Sequence, residues 1–226
     1  MKQQTCALIP ALNEGEGIAR IVREVLPHVD RVIVVDDGST DATASAAERA
    51  GAEVIRHAKN MGKGTAVRAG LRRVLDLGYE WVLLMDGDGQ HDPRDVPRML
   101  RAAQIDSPDM VIGRRVWGEV PARRARSITN RIGARILSRW TGQLILDSQS
   151  GFRLVRTRAL EGIPLTSRRF EIETEMLIKM CRRGCRLEQV PMQSDGQGPG
   201  RPSHLRPFRD VARICLQALR FHYLSR

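Results

Sequence analysis

Asp86 and Asp88 close the apolar run Trp81-Val-Leu-Leu-Met85, and glycine follows each of them in Asp86-Gly-Asp-Gly-Gln90. In extended chain, residues i and i+2 point the same way, so two carboxylates at this spacing converge on one point, and Gly87 keeps that point uncrowded. With the Gln90 carbonyl they make a set of hard oxygen donors, suited to Mg²⁺ or Mn²⁺ and unsuited to a thiolate metal site. Helix capping explains their neighbours: Asp92 reads as an N-cap, Pro93 as the first helical residue and Asp95 as the partner that completes a capping box. It does not explain Asp86, Asp88 or Gln90, and those three are read as metal ligands.

The elements that must position this turn follow from the apolar pattern. Five apolar residues at 81–85 are too few for most helices and suit a strand buried on both faces. Two earlier runs, Cys6-Ala-Leu-Ile9 and Val32-Ile-Val-Val35, also end in polar turns and lead into helices. The first turn, Pro10-Ala-Leu-Asn-Glu14, offers Asn13 as an N-cap with Glu16 three residues on, ahead of inward-spaced Ile18, Ile21, Val22 and Val25. The second turn is Asp36-Asp-Gly-Ser-Thr-Asp41, and a third strand is expected at 52–55. A lysine between two glycines, Gly62-Lys63-Gly64, opens the next helix, with Val67, Leu71, Val74 and Leu75 expected inward. Strands alternating with helices predict a parallel sheet, in which ligands bind beyond the carboxyl ends of the strands. All of these turns lie at that edge.

Composition narrows the class. The 226 residues suit one α/β domain, and 42% hydrophobic content fills a core. No stretch approaches the roughly 20 apolar residues of a membrane span, and no signal-peptide core is present, so a cytoplasmic protein is expected. The four cysteines are scattered and read as reduced core residues. Net charge is +11 and uneven: residues 1–100 carry 13 basic and 15 acidic side chains, residues 101–226 carry 24 and 11. The second half is therefore expected to meet an anion. Nucleic acid is the poorer candidate, because nine Phe, Trp and Tyr in the whole chain give few stacking platforms.

Taken in order, Pro10-Ala-Leu-Asn-Glu14, Val34-Val-Asp-Asp-Gly-Ser-Thr-Asp41, Asn60-Met-Gly-Lys-Gly64 and Met85-Asp-Gly-Asp-Gly-Gln-His-Asp-Pro93 resemble the motifs of family 2 glycosyltransferases, closest to the dolichyl- or polyprenyl-phosphate sugar synthase branch. The resemblance implies a GT-A fold: a single Rossmann-like domain with a mostly parallel central sheet flanked by helices. It also implies a nucleotide-sugar donor and a divalent cation held by a D-x-D motif. On that pattern Pro10, Leu12, Asn13 and Glu14 line the nucleotide site, Asp36 and Asp37 lie at the base or ribose, and Lys63, Asp86, Gly87 and Asp88 lie at the diphosphate. Residues 1–112 would form the donor half, 113–207 the acceptor half, and 208–226 a basic amphipathic helix.

The acceptor half is rich in arginine. On a helix from about Ala125, Arg124, Arg131, Arg135 and Arg139 fall within about 80° of one another, beside an expected apolar face of Ile132, Ile136 and Trp140. Forked guanidinium groups suit an acceptor phosphate, and the resemblance places that role on Arg115. The stretch Asp147-Ser-Gln-Ser-Gly-Phe-Arg153, containing Ser150, resembles a further motif that lies near the donor sugar. Glu173 stands where transferases with hydroxyl acceptors keep a general base, although an acid at a helix start also serves the helix dipole. The glycine- and proline-rich residues 194–205 are expected to form a mobile lid, with Arg201, Ser203 and His204 over the diphosphate where the family has a Ser-Lys pair. The expected reaction is inverting transfer of a hexose to a polyprenyl phosphate, with peripheral membrane contact through the basic helices. The alternatives are a soluble transferase with a sugar or glycerate hydroxyl acceptor, and a non-enzymatic polyanion-binding module.

Overall fold

The computed structural model describes residues 4–105, 107–116 and 121–193, with only the backbone described at 121–129. Arg201, Ser203, His204, the side chain of Arg124 and the expected helix at 208–226 therefore lie outside the described residues.

The first half follows the alternation of its apolar runs. β1 (Thr5–Ala11), β2 (Arg31–Asp36), β3 (Glu53–Arg56) and β4 (Trp81–Leu84) alternate with α1 (Ile18–Val25), α2 (Thr43–Arg49) and α3 (Lys63–Asp76). Then come α4 (Val96–Ile105), β5 (Met110–Arg114), α5 (Pro121–Thr141), β6 (Arg153–Arg156), the single turn α6 (Thr157–Leu160), α7 (Glu171–Arg182) and β7 (Leu187–Pro191). One seven-stranded sheet runs in the order β3-β2-β1-β4-β6-β5-β7. All neighbours are parallel except β6, which is antiparallel to both β4 and β5. Because β6 wedges between strands of the first 112 residues, the two expected halves share one sheet.

Both faces of the central strands β1, β2 and β4 are covered, which is why they read as nearly unbroken apolar runs. Alternate residues part to opposite sides: Cys6, Leu8, Val82 and Leu84 pack with α3, α5 and α7, while Ala7, Ile9, Trp81, Leu83 and Met85 pack with α1, α2 and α4. Chain order reverses between β1 and β4, and the crevice of a doubly wound sheet opens at such a point. Both the Pro10–Glu14 turn and the Asp86–Gln90 turn leave from there.

Three local expectations are corrected. Asn13 is not the N-cap of α1; the cap position is Gly17, with no side-chain bond. Asn13 instead adopts φ +57°, and its Oδ1 accepts the Thr40 N–H at 2.9 Å, because Asn tolerates the left-handed region that a tight turn needs. Leu75, expected inward, is 38% exposed. On α5 the inward stripe is Asn130, Ala134 and Leu137, and Ile132 is half exposed. Of the expected face, Trp140 packs partly buried against the core and Ile136 is half-buried, whereas Ile132 yields its place to Asn130, whose Oδ1 accepts from the backbone N–H and hydroxyl of Ser148. Among the cysteines, Cys6, Cys181 and Cys185 are free and buried, and burial pushes the Cys6 thiol up to about 12.

Candidate active site

Asp86 and Asp88 leave β4 at the crevice, held by a Met85 N–H to Leu8 carbonyl bond of 3.2 Å and a Gly87 N–H to Pro10 carbonyl bond of 3.3 Å. Asp88 Oδ1 accepts the Gln90 N–H at 3.0 Å. Asp92 caps the following turn by accepting the Arg94 N–H, as its type and spacing predict. Asp95, in contrast, reaches across to accept the Gln193 N–H.

Lys63 meets this turn from the start of α3. Its Nζ lies 2.6 Å from Asp86 Oδ1 and 2.5 Å from Glu173 Oε1 in the first turn of α7. The glycines beside it have a steric reason. A Cβ on Gly62, at φ +92°, would sit 2.4 Å from the Arg168 carbonyl oxygen, and one on Gly64 would sit 2.4 Å from that of Ser167. Only glycine lets the 167–169 backbone press against this loop, which brings α7 and Glu173 to Lys63. Glu173 Oε2 is buried and has no hydrogen-bond partner among the described residues.

The electrostatics favour a cation here. Burial opposes charge on Asp86, but the Lys63 ammonium outweighs it and holds that carboxyl below its ordinary value. Asp88 is pushed up, first by burial and then by the charge of Asp86. Burial opposes charge on Lys63 as well, and Asp86 and Glu173 more than offset it, so Lys63 stays protonated. His91 stacks on Phe152 with ring centroids 5.3 Å apart, and its Nε2 is 3.9 Å from Asp86 Oδ2. Burial lowers its pKa, which favours the neutral ring.

The donor set fits a hard divalent cation: two carboxylates at one turn, one of them already bonded to an ammonium and the other carrying charge that its neighbour opposes. No group of three or more acidic, His or Cys side chains surrounds a metal position among the described residues. A cation held by Asp86, Asp88 and the Gln90 carbonyl would therefore complete its shell with water or substrate phosphate, as Mg²⁺ commonly does.

The 147–153 loop closes the other side. Arg153 is fully buried, and its guanidinium donates to the carbonyls of Ser148, Ser150 and Glu173 at 3.1, 2.8 and 2.6 Å. It thereby ties the loop to the start of α7; the sequence named Arg153 only as the end of a motif. Gly151 faces Asp86, and a Cβ there would lie 2.7 Å from Asp86 Oδ2. Gly151→Ala should therefore displace the Asp86 carboxylate and weaken Mn²⁺ binding roughly tenfold, measurable by manganese paramagnetic resonance. Wild-type Mn²⁺ affinity in this variant would refute the contact.

The remaining expected residues divide into those the fold brings to the crevice and those it turns elsewhere. Pro10 lines the small cavity with Lys63, Asp86, Gly151, Arg153 and Glu173. Leu12 and Asn13 are exposed, and the Glu14 N–H donates to Thr43 Oγ1 at 2.8 Å. Asp36 and Asp37 are buried. Asp36 Oδ1 accepts the Ser39 N–H and Oδ2 lies 3.3 Å from Arg56 Nε. Asp37 accepts the N–H groups of Met61 and Gly62 at 3.0 and 2.7 Å and lies 2.7 Å from His57 Nδ1, so it latches the Lys63 loop. Ser150 is fully buried, its hydroxyl accepting the Phe152 N–H.

Arg115 forms a fork-to-fork pair with buried Asp147, Nε to Oδ2 and Nη2 to Oδ1 at 2.9 Å each. Burial works against charge on Asp147, and Arg115 overcomes it, holding the carboxyl below the usual range. Beside this pair opens a cleft of about 690 Å³ lined by Arg114, Arg115, Arg131, Arg135 and Arg139 on its basic side and Leu144, Ile145 and Leu146 on its apolar side. Leu144 is 70% exposed. Of the expected arginine row, Arg131, Arg135 and Arg139 lie along α5 one turn apart and exposed, and the Arg124 side chain lies outside the described residues.

Residues 6–163 match the sequence profile of glycosyl transferase family 2. Glycosyltransferase AglJ of Haloferax volcanii is 36% identical over 220 residues, covering 95% of this chain and 71% of AglJ. The undecaprenyl-phosphate mannosyltransferase of Micrococcus luteus is 32% identical over 205 residues, covering 82% and 81% of the two chains. The UDP-N-acetylglucosamine–dolichyl-phosphate N-acetylglucosaminyltransferase of Methanococcus voltae is 29% identical over 211 residues, covering 83% and 84%. Among solved structures, glucosyl-3-phosphoglycerate synthase from Mycobacterium tuberculosis with Mn²⁺ and UDP-glucose superposes with a TM-score of 0.76 at 22% identity, covering 97% of this chain and 79% of that one.

Proposed function

Because the chain belongs to glycosyl transferase family 2, we propose that it moves a hexose from a nucleotide sugar, of the GDP-mannose or UDP-glucose type, to a polyprenyl phosphate with inversion. The observation that carries this reading is the cleft beside Arg115, whose lining combines a row of arginines with Leu144, Ile145 and Leu146. Guanidinium groups bind a phosphate, and an apolar wall suits the isoprenoid attached to it. The mannosyltransferase and N-acetylglucosaminyltransferase relatives, whose names specify lipid phosphates, support the same acceptor class.

The residues then divide the work. A phosphate monoester, with a second pKa of about 6, is mostly dianionic at neutral pH and attacks the anomeric carbon without a general base. Arg131, Arg135 and Arg139 hold its charge, and Asp147 keeps the Arg115 fork oriented at the mouth of the cleft. Asp86, Asp88 and Gln90 would hold Mg²⁺ or Mn²⁺, which supplies neutralisation of charge growing on the leaving nucleoside diphosphate. No helix among the described residues is long and apolar enough to cross a membrane; the exposed arginines of α5 offer a basic surface to anionic lipid headgroups.

A second reading takes a hydroxyl acceptor of the phosphoglycerate kind. It is favoured by the fold of the synthase named above and by Glu173, whose unpartnered oxygen lies at the site. One experiment separates the two: Mn²⁺, labelled GDP-mannose or UDP-glucose, and either a short polyprenyl phosphate or 3-phosphoglycerate. Organic-extractable label with the first acceptor is the expected result. Label in an aqueous glycoside that forms only with 3-phosphoglycerate and is resolved from unreacted donor and free sugar favours the second reading, and no transfer with any pair overturns both.

A further inference from the structure

One ammonium serves two carboxylates that the fold brings together from distant parts of the chain. Lys63 Nζ is within hydrogen-bond reach of both Asp86 Oδ1 and Glu173 Oε1, at 2.6 and 2.5 Å. Its backbone is fixed, because Gly62 and Gly64 pack against the 167–169 backbone and the Asp37 carboxylate holds Met61 and Gly62. Its side chain is 15% exposed and passes 5.5 Å from the centre of the Phe170 ring.

A divalent cation at Asp86 and Asp88 draws on the carboxylate whose Oδ1 Lys63 already holds, and it brings two positive charges next to a third. We propose that Lys63 is a resident counter-ion that competes with the divalent cation for Asp86, and that Glu173 is the positioning residue that receives Lys63 when the cation binds. The inference rests on the metal part of the functional reading. Three observations support the transfer. A lysine ammonium has three rotatable donors on a flexible stem, so a small swing changes its partner without moving the backbone. Glu173 Oε2, buried and without a hydrogen-bond partner among the described residues, is placed to take the bond that Asp86 gives up. The void of about 10 Å³ lined by Lys63, Asp86, Gly151, Arg153 and Glu173 leaves room for that swing, being the size of roughly one water.

The consequence is a site that holds a divalent cation weakly by itself and tightly once a diphosphate adds its oxygens. Competition also gives Glu173 a role through Lys63 that differs from that of a base or a ligand.

The test measures Mn²⁺ alone, by paramagnetic resonance, binding to wild type, Lys63→Met, Glu173→Gln and the double variant, with thermal melting to confirm folding and Asp88→Asn to mark the site. Lys63→Met should bind Mn²⁺ roughly tenfold more tightly and Glu173→Gln roughly tenfold more weakly. In the Lys63→Met background the Glu173 substitution should change affinity less than about threefold, since its effect passes through the lysine. Unchanged or weaker binding by Lys63→Met overturns the inference, as does an equal Glu173 effect in both backgrounds. Absence of Mn²⁺ binding sensitive to Asp88→Asn overturns the metal reading itself. Should the lysine variant not fold, the wild type still decides. The Lys63 Nζ resonance should shift in step with Mg²⁺ occupancy, and an unmoved resonance at saturating Mg²⁺ refutes the competition.

Discussion

Asp88→Asn lowers transfer by at least about a hundredfold and leaves the melting temperature at or above that of the wild type. The two halves of this expectation have one cause. Asp88 carries a charge that burial and Asp86 both oppose, so its folded pKa is raised from its ordinary value. The folded protein then binds that proton more tightly than the unfolded chain does. Stability from this group is fully present below the unfolded pKa and falls as pH rises through the raised folded value. At pH 7 the ionised carboxylate therefore costs stability, and a neutral amide of the same shape does not. What the charge supplies is half of the anionic pair that receives a cation. Transfer rates from a labelled donor, paired with calorimetric melting at pH 5 and pH 7, measure both halves. Near-wild-type turnover would remove the cation site from the mechanism, and a large loss of melting temperature would show that Asp88 is structural.

Arg153→Met costs about 3 kcal/mol of stability in urea unfolding, and the site loosens with it. Methionine fills much of the same volume but leaves the carbonyls of Ser148, Ser150 and Glu173 without the donors they have now. Each buried carbonyl left unpaired costs about 1–3 kcal/mol, and the relief of no longer burying a guanidinium offsets part of the sum. Lysine should restore little, because a single ammonium cannot span three acceptors that a planar fork reaches. Since these bonds connect the Gly151 loop to the start of α7, the surviving folded fraction should also bind Mn²⁺ more weakly. A change below about 1 kcal/mol would mean that water or neighbouring groups replace the fork.

The first half of the fold was legible because its signals are local. The strands β1, β2 and β4 are short apolar runs ended by polar turns, the helices between them repeat their apolar residues at helical spacing, and strands covered on both faces need nothing subtler. The helix α5 resisted the same reading. Its arginines at 131, 135 and 139 lie where the spacing put them, yet its inward face takes in Asn130 beside Ala134 and Leu137, and a buried asparagine is placed by its bonds to Ser148 and not by apolar pattern. Nor does local pattern announce that β6 runs antiparallel between β4 and β5, because a four-residue strand with two apolar residues between arginines carries no sign of its direction.

For the site, the chain alone determined that Asp86 and Asp88 stand at a strand end, that glycines open the turn around them, and that arginines gather in the second half. Those properties are set by neighbours in sequence, through the two-residue period of extended chain and the conformational freedom of glycine. The partners were decided by tertiary structure. Lys63 lies between Asp86 and Glu173, Arg115 is committed to Asp147, and Arg153 gathers three carbonyls in the core. Each pairing joins side chains whose distance is fixed only when α3, α7 and the 147–153 loop pack on the same edge of the sheet. The physical reason is that a charge buried there must find its counter-charge or acceptors in space, and no periodicity along the chain records which ones it finds.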